Sequence, residues 1–201
     1  MKKEGEVRMI RADNVSLILN KRQILSHISL ELHNGKIYGL VGNNGCGKTM
    51  LMKCICGFVH PTEGKIEADG KVIGKDVDYL PDAGIILETP GFIGYYSGLQ
   101  NLKVLAGINH KIGQEQIRDA MRRVGLDSDL KLAVKKYSLG MRQRLGLAQA
   151  IMENPSVLIL DEPMNGLDRK GVEEVRRILL DLKALDKLLL IASHSAEDIK
   201  I

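Results

Sequence analysis

Gly42-Asn43-Asn44-Gly45-Cys46-Gly47-Lys48-Thr49 is the stretch on which the reading of this 201-residue chain turns. It spells G-x-x-x-x-G-K-[ST], after an apolar run at 36–41 that reads as a buried strand and before a helical pattern at 48–56. Glycines let the backbone curl so that successive N–H groups face one anion. A helix beginning at this point adds the positive end of its dipole. Lys48 sets an ammonium against the outer phosphates of a nucleoside triphosphate, and Thr49 offers a hydroxyl to Mg²⁺. Met50, next in the chain, joins these eight residues as a candidate nucleotide contact. By itself the pattern implies only that a nucleoside triphosphate binds.

Working outward, the next chemical feature is Val157-Leu158-Ile159-Leu160-Asp161-Glu162-Pro163, an apolar strand that ends in two acids. Open α/β sheets bind ligands beyond the carboxyl ends of their strands, so this strand would deliver both acids beside the glycine loop. Asp161 is then placed to hold Mg²⁺, directly or through water. Glu162 is placed to polarise the water that attacks the terminal phosphate. Pro163 turns the chain out of the sheet.

The remaining pattern supplies a scaffold. Residues 8–19 and 28–32 read as strands, and 64–73 as a hairpin turning at Asp69-Gly70. Glycine and proline punctuate 84–98, which reads as loop. From 98 to 136 the pattern is helical and charged, with 114–124 its clearest helix, stopped by Gly125. Residues 139–152 read as a helix closed by Asn154-Pro155. Val172, Val175, Ile178, Leu179, Leu182 and Leu185 make one helical face, and 188–192 is another buried strand. Helices alternating with all-apolar strands predict a parallel sheet covered on both faces.

Composition narrows the classes. Apolar residues make up 44% and aromatics 3%, so the core must be built from Leu, Ile, Val and Met. A net charge of +4 with no tryptophan and no basic stripe argues against a nucleic-acid partner. No apolar run approaches the ~20 residues of a spanning helix. The first residues carry positive charge without an apolar stretch, so they do not read as a signal peptide. A cytoplasmic location is therefore expected, with any membrane role reached through a partner chain. Cys46, Cys54 and Cys56 are an odd, clustered set, which points to free thiols. Cys54 and Cys56 diverge on a helix, so a metal site there is not expected.

The segment Tyr137-Ser138-Leu139-Gly140-Met141-Arg142-Gln143-Arg144 opens a predicted helix ahead of the acidic strand. It resembles the signature motif of ATP-binding cassette (ABC) proteins, usually written L-S-G-G-Q. Ser138 and Gly140 match, while Leu139 and Met141 replace a glycine and a glutamine. Asn165-Gly166-Leu167-Asp168 resembles the D-loop of that family, and His194 in Ala192-Ser193-His194-Ser195 resembles its switch histidine. The resemblance runs from about Val15 to the last residue.

The resemblance implies a P-loop NTPase α/β fold: a mostly parallel sheet, an antiparallel β subdomain and a helical insert in one domain. Residues 1–90 and 137–201 would form the core, and 91–136 the helical subdomain. It implies that two such domains, alike or different, face each other head to tail. ATP and Mg²⁺ would lie between one phosphate loop and the partner's Ser138, Leu139, Gly140 and Met141. Lys48, Glu162 and His194 would act in hydrolysis, and Asp168 would couple the two sites. A separate transmembrane permease would provide the only contact with the membrane, at its inner face.

Three departures from the family pattern carry information. The family's metal-sensing glutamine is replaced by Glu88 in Ile86-Leu87-Glu88-Thr89-Pro90-Gly91-Phe92, where its full charge is expected to bind the Mg²⁺ shell more strongly than glutamine would. With the Tyr-Ser-Leu-Gly-Met signature, this resembles the branch that exports peptide antibiotics, as in bacitracin resistance and lantibiotic immunity. The adenine-stacking aromatic is missing: counting back reaches Leu19, and no aromatic precedes Tyr38, so weak base selectivity is expected. Seven residues follow His194 where the family has further strands, so a shortened C-terminus is expected. The expected function is the ATP-hydrolysing subunit of an exporter. A soluble cassette such as an iron–sulfur assembly factor is the alternative. A module that binds nucleotide without turnover is disfavoured by Glu162 and His194.

Overall fold

A computed structural model describes residues 7–88, 91–195 and 197. The chain runs β1 (Met9–Leu19), β2 (Arg22–His33), β3 (Ile37–Val41), α1 (Lys48–Cys56), β4 (Glu63–Ala68), β5 (Lys71–Val72), β6 (Ala83–Ile86), α2 (Gly98–Asn109) and α3 (Gln114–Arg123). It continues through a short 3₁₀ turn, Val134–Lys136, into α4 (Leu139–Ile151), β7 (Val157–Asp161), α5 (Arg169–Ala184) and β8 (Leu188–Ser193).

Two four-stranded sheets result. One has the order β2-β1-β4-β5, with every pair antiparallel. The other has the order β3-β8-β7-β6, with every pair parallel. Each residue of β7 and β8 is buried, so both strands must be apolar on both faces. Alternate side chains part accordingly. Leu158, Leu160, Leu189 and Ile191 enter a core shared with α2 to α5. Val157, Ile159, Leu188, Leu190 and Ala192 enter a second core shared with α1 and the antiparallel sheet. Each such fully buried Leu or Ile stabilises the fold by about 1.5–3 kcal/mol relative to exposure.

The structure corrects three local expectations. Residues 83–86, read mostly as loop, form β6. Gly84 there serves packing: a Cβ would fall 2.0 Å from the Ala150 carbonyl oxygen on α4. β2 begins at Arg22, ahead of the expected 28, because bulges in the β1 pairing and a left-handed His27 (φ 48°) hide its alternation. Leu185 leaves the helical face, since it caps α5 and is 59% exposed.

Candidate active site

All four parallel strands end on one edge, and their order lays the candidate residues in a row. The glycine loop leaves β3, Ser193-His194 leaves β8, Asp161-Glu162 ends β7, and Glu88 follows β6. Residues far apart in sequence thus become neighbours at the place where α/β sheets take ligands.

The loop from Gly42 to Thr49 is shaped by its glycines. Gly45 and Gly47 sit at φ 79° and 99°. At Gly47 a Cβ would come within 3.0 Å of the Ile24 carbonyl oxygen and Leu25 Cδ2. Gly47 is also the N-cap of α1, and no side chain caps that helix. Its leading amides therefore remain available to an anion. The Lys48 ammonium donates to the carbonyls of Gly42 (2.6 Å) and Asn43 (3.1 Å), bracing the loop from within. A cleft of about 290 Å³ opens over it, lined by Asn44, Gly45, Gly47, Lys48, Thr49 and Met50 and by Ile24, Asp161 and Glu162. Cys46 is exposed. Burial pushes the Cys54 thiol up to about 11 and that of Cys56 to about 12.

Two side-chain pairs close this cleft. Thr49 Oγ1 donates to Asp161 Oδ2 at 2.5 Å, and Asp161 is buried. Glu162 Oε2 meets His194 Nδ1 at 3.0 Å. Glu162 has a left-handed backbone (φ 49°), which costs a non-glycine residue about 1–2 kcal/mol. Its N–H donates to the Ala192 carbonyl (3.0 Å), and its carbonyl accepts from the Asn165 N–H (3.1 Å) and Gln143 Nε2 (3.0 Å). A conformation sustained against its own cost at the end of an active-edge strand is where function concentrates.

Among the described residues no cluster of three or more His, Cys, Asp or Glu side chains could hold a metal unaided. Mg²⁺ binds through one or two protein oxygens and takes the rest from water and substrate phosphates. A hydroxyl and a buried carboxylate already in contact are such a pair.

The other candidates lie elsewhere. Glu88 (φ 60°) forms an ion pair with Lys53 of α1 at 2.6 Å. It lines a neighbouring cleft of about 200 Å³ with Leu139, Arg142, Gln143, Asp161, Glu162 and Asn165. Lys53 stands one turn along α1 from Thr49 and draws the carboxylate there. Ser138 is the N-cap of α4 and accepts from the Met141 N–H at 3.1 Å. Gly140 approaches the Gly166 carbonyl, and Leu139 packs over Gly166. Asp168 is the N-cap of α5 and accepts from the Gly171 N–H at 2.8 Å. None of Ser138, Leu139, Gly140, Met141 or Asp168 lines the phosphate cleft of its own chain. The apolar side chains that line this cleft are Ile24 and Met50.

Residues 25–165 match the family described as "ABC transporter". The chain belongs to the ABC transporter family. Its relatives in that family include the uncharacterized ABC transporter ATP-binding protein YybJ of Bacillus subtilis (strain 168), 42% identical over 95% of this chain and 88% of that one. The bacitracin transport ATP-binding protein BcrA of Enterococcus faecalis is 37% identical over 96% of this chain. The chain spans 63% of that relative's length. The lantibiotic transport ATP-binding protein SrtF of Streptococcus pyogenes is 35% identical over 96% of this chain and 82% of its own. In fold, the chain superposes on the ATP-binding cassette MJ0796, solved as a dimer in a post-hydrolysis state with ADP and Pi. The TM-score is 0.84 at 19% identity, over 94% of this chain and 89% of that one. This ABC chain is thus an ATP-binding, ATP-hydrolysing subunit of a transporter. The soluble-cassette alternative is not favoured, since these relatives are named for transport.

Proposed function

We propose that this ABC subunit pairs with a second cassette and drives a separate transmembrane permease that exports peptide antibiotics or similar compounds, working from the inner face of the membrane. The observation that carries the reading is the convergence of Thr49–Asp161 and Glu162–His194 on the cleft above the glycine loop. The printed names of BcrA and SrtF support the cargo class.

In this reading Lys48 leaves the Gly42 and Asn43 carbonyls and turns its ammonium to the β- and γ-phosphates. Thr49 and Asp161 would hold Mg²⁺, which would offset charge on the terminal phosphates. Glu162 accepts the proton of the attacking water, and the His194 imidazole orients that carboxylate. Ser138 and the amides of Leu139, Gly140 and Met141 face the partner's nucleotide, again at a helix N-terminus. Asp168 lies at the junction between the cassettes. The segment 91–136 acts as a helical subdomain and, with the Glu88 loop, as the contact with the permease.

The test is to isolate the tagged chain from membranes with its bound multi-span protein and reconstitute both in vesicles. Bacitracin or a lantibiotic should stimulate ATP turnover and cross the membrane. Turnover indifferent to both peptides would contradict the cargo class, and failure to recover any multi-span partner would contradict the exporter reading.

A further inference from the structure

We infer that Gln143 is a positioning residue for hydrolysis, fixing the backbone of Glu162 from the helix that carries the signature sequence. The inference rests on the reading of Glu162 as the group that accepts the proton from water. Glu162 lies one residue beyond β7 in a left-handed conformation (φ 49°), so an unfavourable backbone turn sets the direction of its carboxylate. Three hydrogen bonds hold that turn. The bonds to the Ala192 carbonyl and from the Asn165 N–H are main chain to main chain, available to any residue type. The third comes from a side chain on α4: Gln143 Nε2 donates to the Glu162 carbonyl at 3.0 Å.

The chemistry of this contact is selective. A carbonyl accepts and cannot donate, so the partner must be a donor. A glutamine amide supplies one without adding charge beside two carboxylates. Because it binds the carbonyl, it leaves the Glu162 carboxylate to His194 and to water. Gln143 also lies on the same helix as the Ser138 cap, so α4 ties the signature segment to the hydrolytic turn within one chain. Without the donor, the turn after β7 can relax and carry the carboxylate away from its place. A displacement of about 1 Å costs a reaction up to roughly a hundredfold. The loss should fall on turnover, since the phosphate loop that binds ATP is not touched.

The test uses the purified full chain, with steady-state ATP hydrolysis in Mg²⁺ and equilibrium ATP binding measured on the same preparations. Gln143→Met keeps the length and removes the donor, whereas Gln143→Lys returns a donor. Gln143→Met should lower kcat about tenfold with KM and the ATP Kd within about twofold, and Gln143→Lys should recover a large part of the loss. If Gln143→Met fails to bind ATP, Gln143→Glu takes its place, being nearly isosteric but only an acceptor there. The inference is overturned if kcat stays within about twofold in the donor-less variant, if Gln143→Lys is no better, or if KM alone moves. Glu162→Gln, run alongside, separates the two readings. Its retaining turnover would remove the assignment of Glu162 and this inference with it, whereas its loss beside an unaffected Gln143→Met would overturn the inference alone.

Discussion

At the carboxyl edge of the parallel sheet, the backbone adopts conformations that an isolated chain avoids. In α2 and α3 it adopts those the chain prefers. Glu88 and Glu162 are left-handed without being glycine, and Gly45 and Gly47 bend the phosphate loop. α2, by contrast, opens with a reciprocal capping box between Ser97 and Gln100. α3 carries Glu115 in its first turn and Arg122 and Arg123 in its last, each complementing the helix dipole. The buried side of this pair is plain apolar packing by Leu102, Ala106, Ile117, Ala120 and Met121. At Glu88 and Glu162 neighbours override local preference, whereas the helical pair obeys it up to the left-handed cap at His110.

That contrast implies that damage at the edge removes turnover and spares the fold, while damage in the helical pair does the reverse. The largest effect is expected for Glu162→Gln. Turnover should fall by about 10²–10⁴-fold with ATP still bound and the thermal midpoint barely changed. A variant that hydrolyses normally would break the contrast at its centre. Leu102→Ala, at a wholly buried site in α2, should cost about 2–5 kcal/mol in denaturant unfolding and leave the KM for ATP within about twofold. A comparable change in KM would show that the two regions are not separable.

Glu88 sharpens the comparison from within the edge, where it is paired with Lys53 of α1 and is 64% exposed as a side chain. An exposed ion pair is worth at most about 1 kcal/mol, so any effect is modest. Glu88→Gln should raise the Mg²⁺ concentration for half-maximal turnover by less than about fivefold, through loss of a full charge. Identical Mg²⁺ profiles would remove Glu88 from the metal's surroundings. A separate effect, confined to alkaline pH, is expected from the buried thiols. Cys54 and Cys56 are neutral in the fold, with pKa values raised from 9.0 to about 11 and about 12. Their contribution is complete below pH 9 and is lost as pH rises toward 11, because only the unfolded chain ionises there. The unfolding midpoint should fall more steeply over that range in the wild type than in a Cys54→Ala, Cys56→Ala double variant. Equal slopes would contradict the burial of these groups.

Much of the fold could be read from the sequence wherever one strong constraint acted alone. The helix at 48–56 is bounded at both ends by left-handed glycine caps, Gly47 and Gly57, and β7 and β8 are marked by apolar runs. β6 was obscured because Gly84 resembles loop punctuation, although it is needed for the approach of α4. The start of β2 was obscured by its bulges. At the candidate site, the ordered motifs pointed to the residues that meet as Thr49–Asp161 and Glu162–His194. The Lys53–Glu88 pair, Ile24 in the cleft and the Gln143 contact depend on how separate elements face one another. No local pattern encodes those.

The most direct test is a crystal structure of the chain with Mg-ATP. The triphosphate should lie wrapped by the amides of residues 43–49, with the ion held by Thr49 and Asp161 and the terminal phosphate facing Glu162. A triphosphate bound away from both the loop and the acid pair would contradict this arrangement.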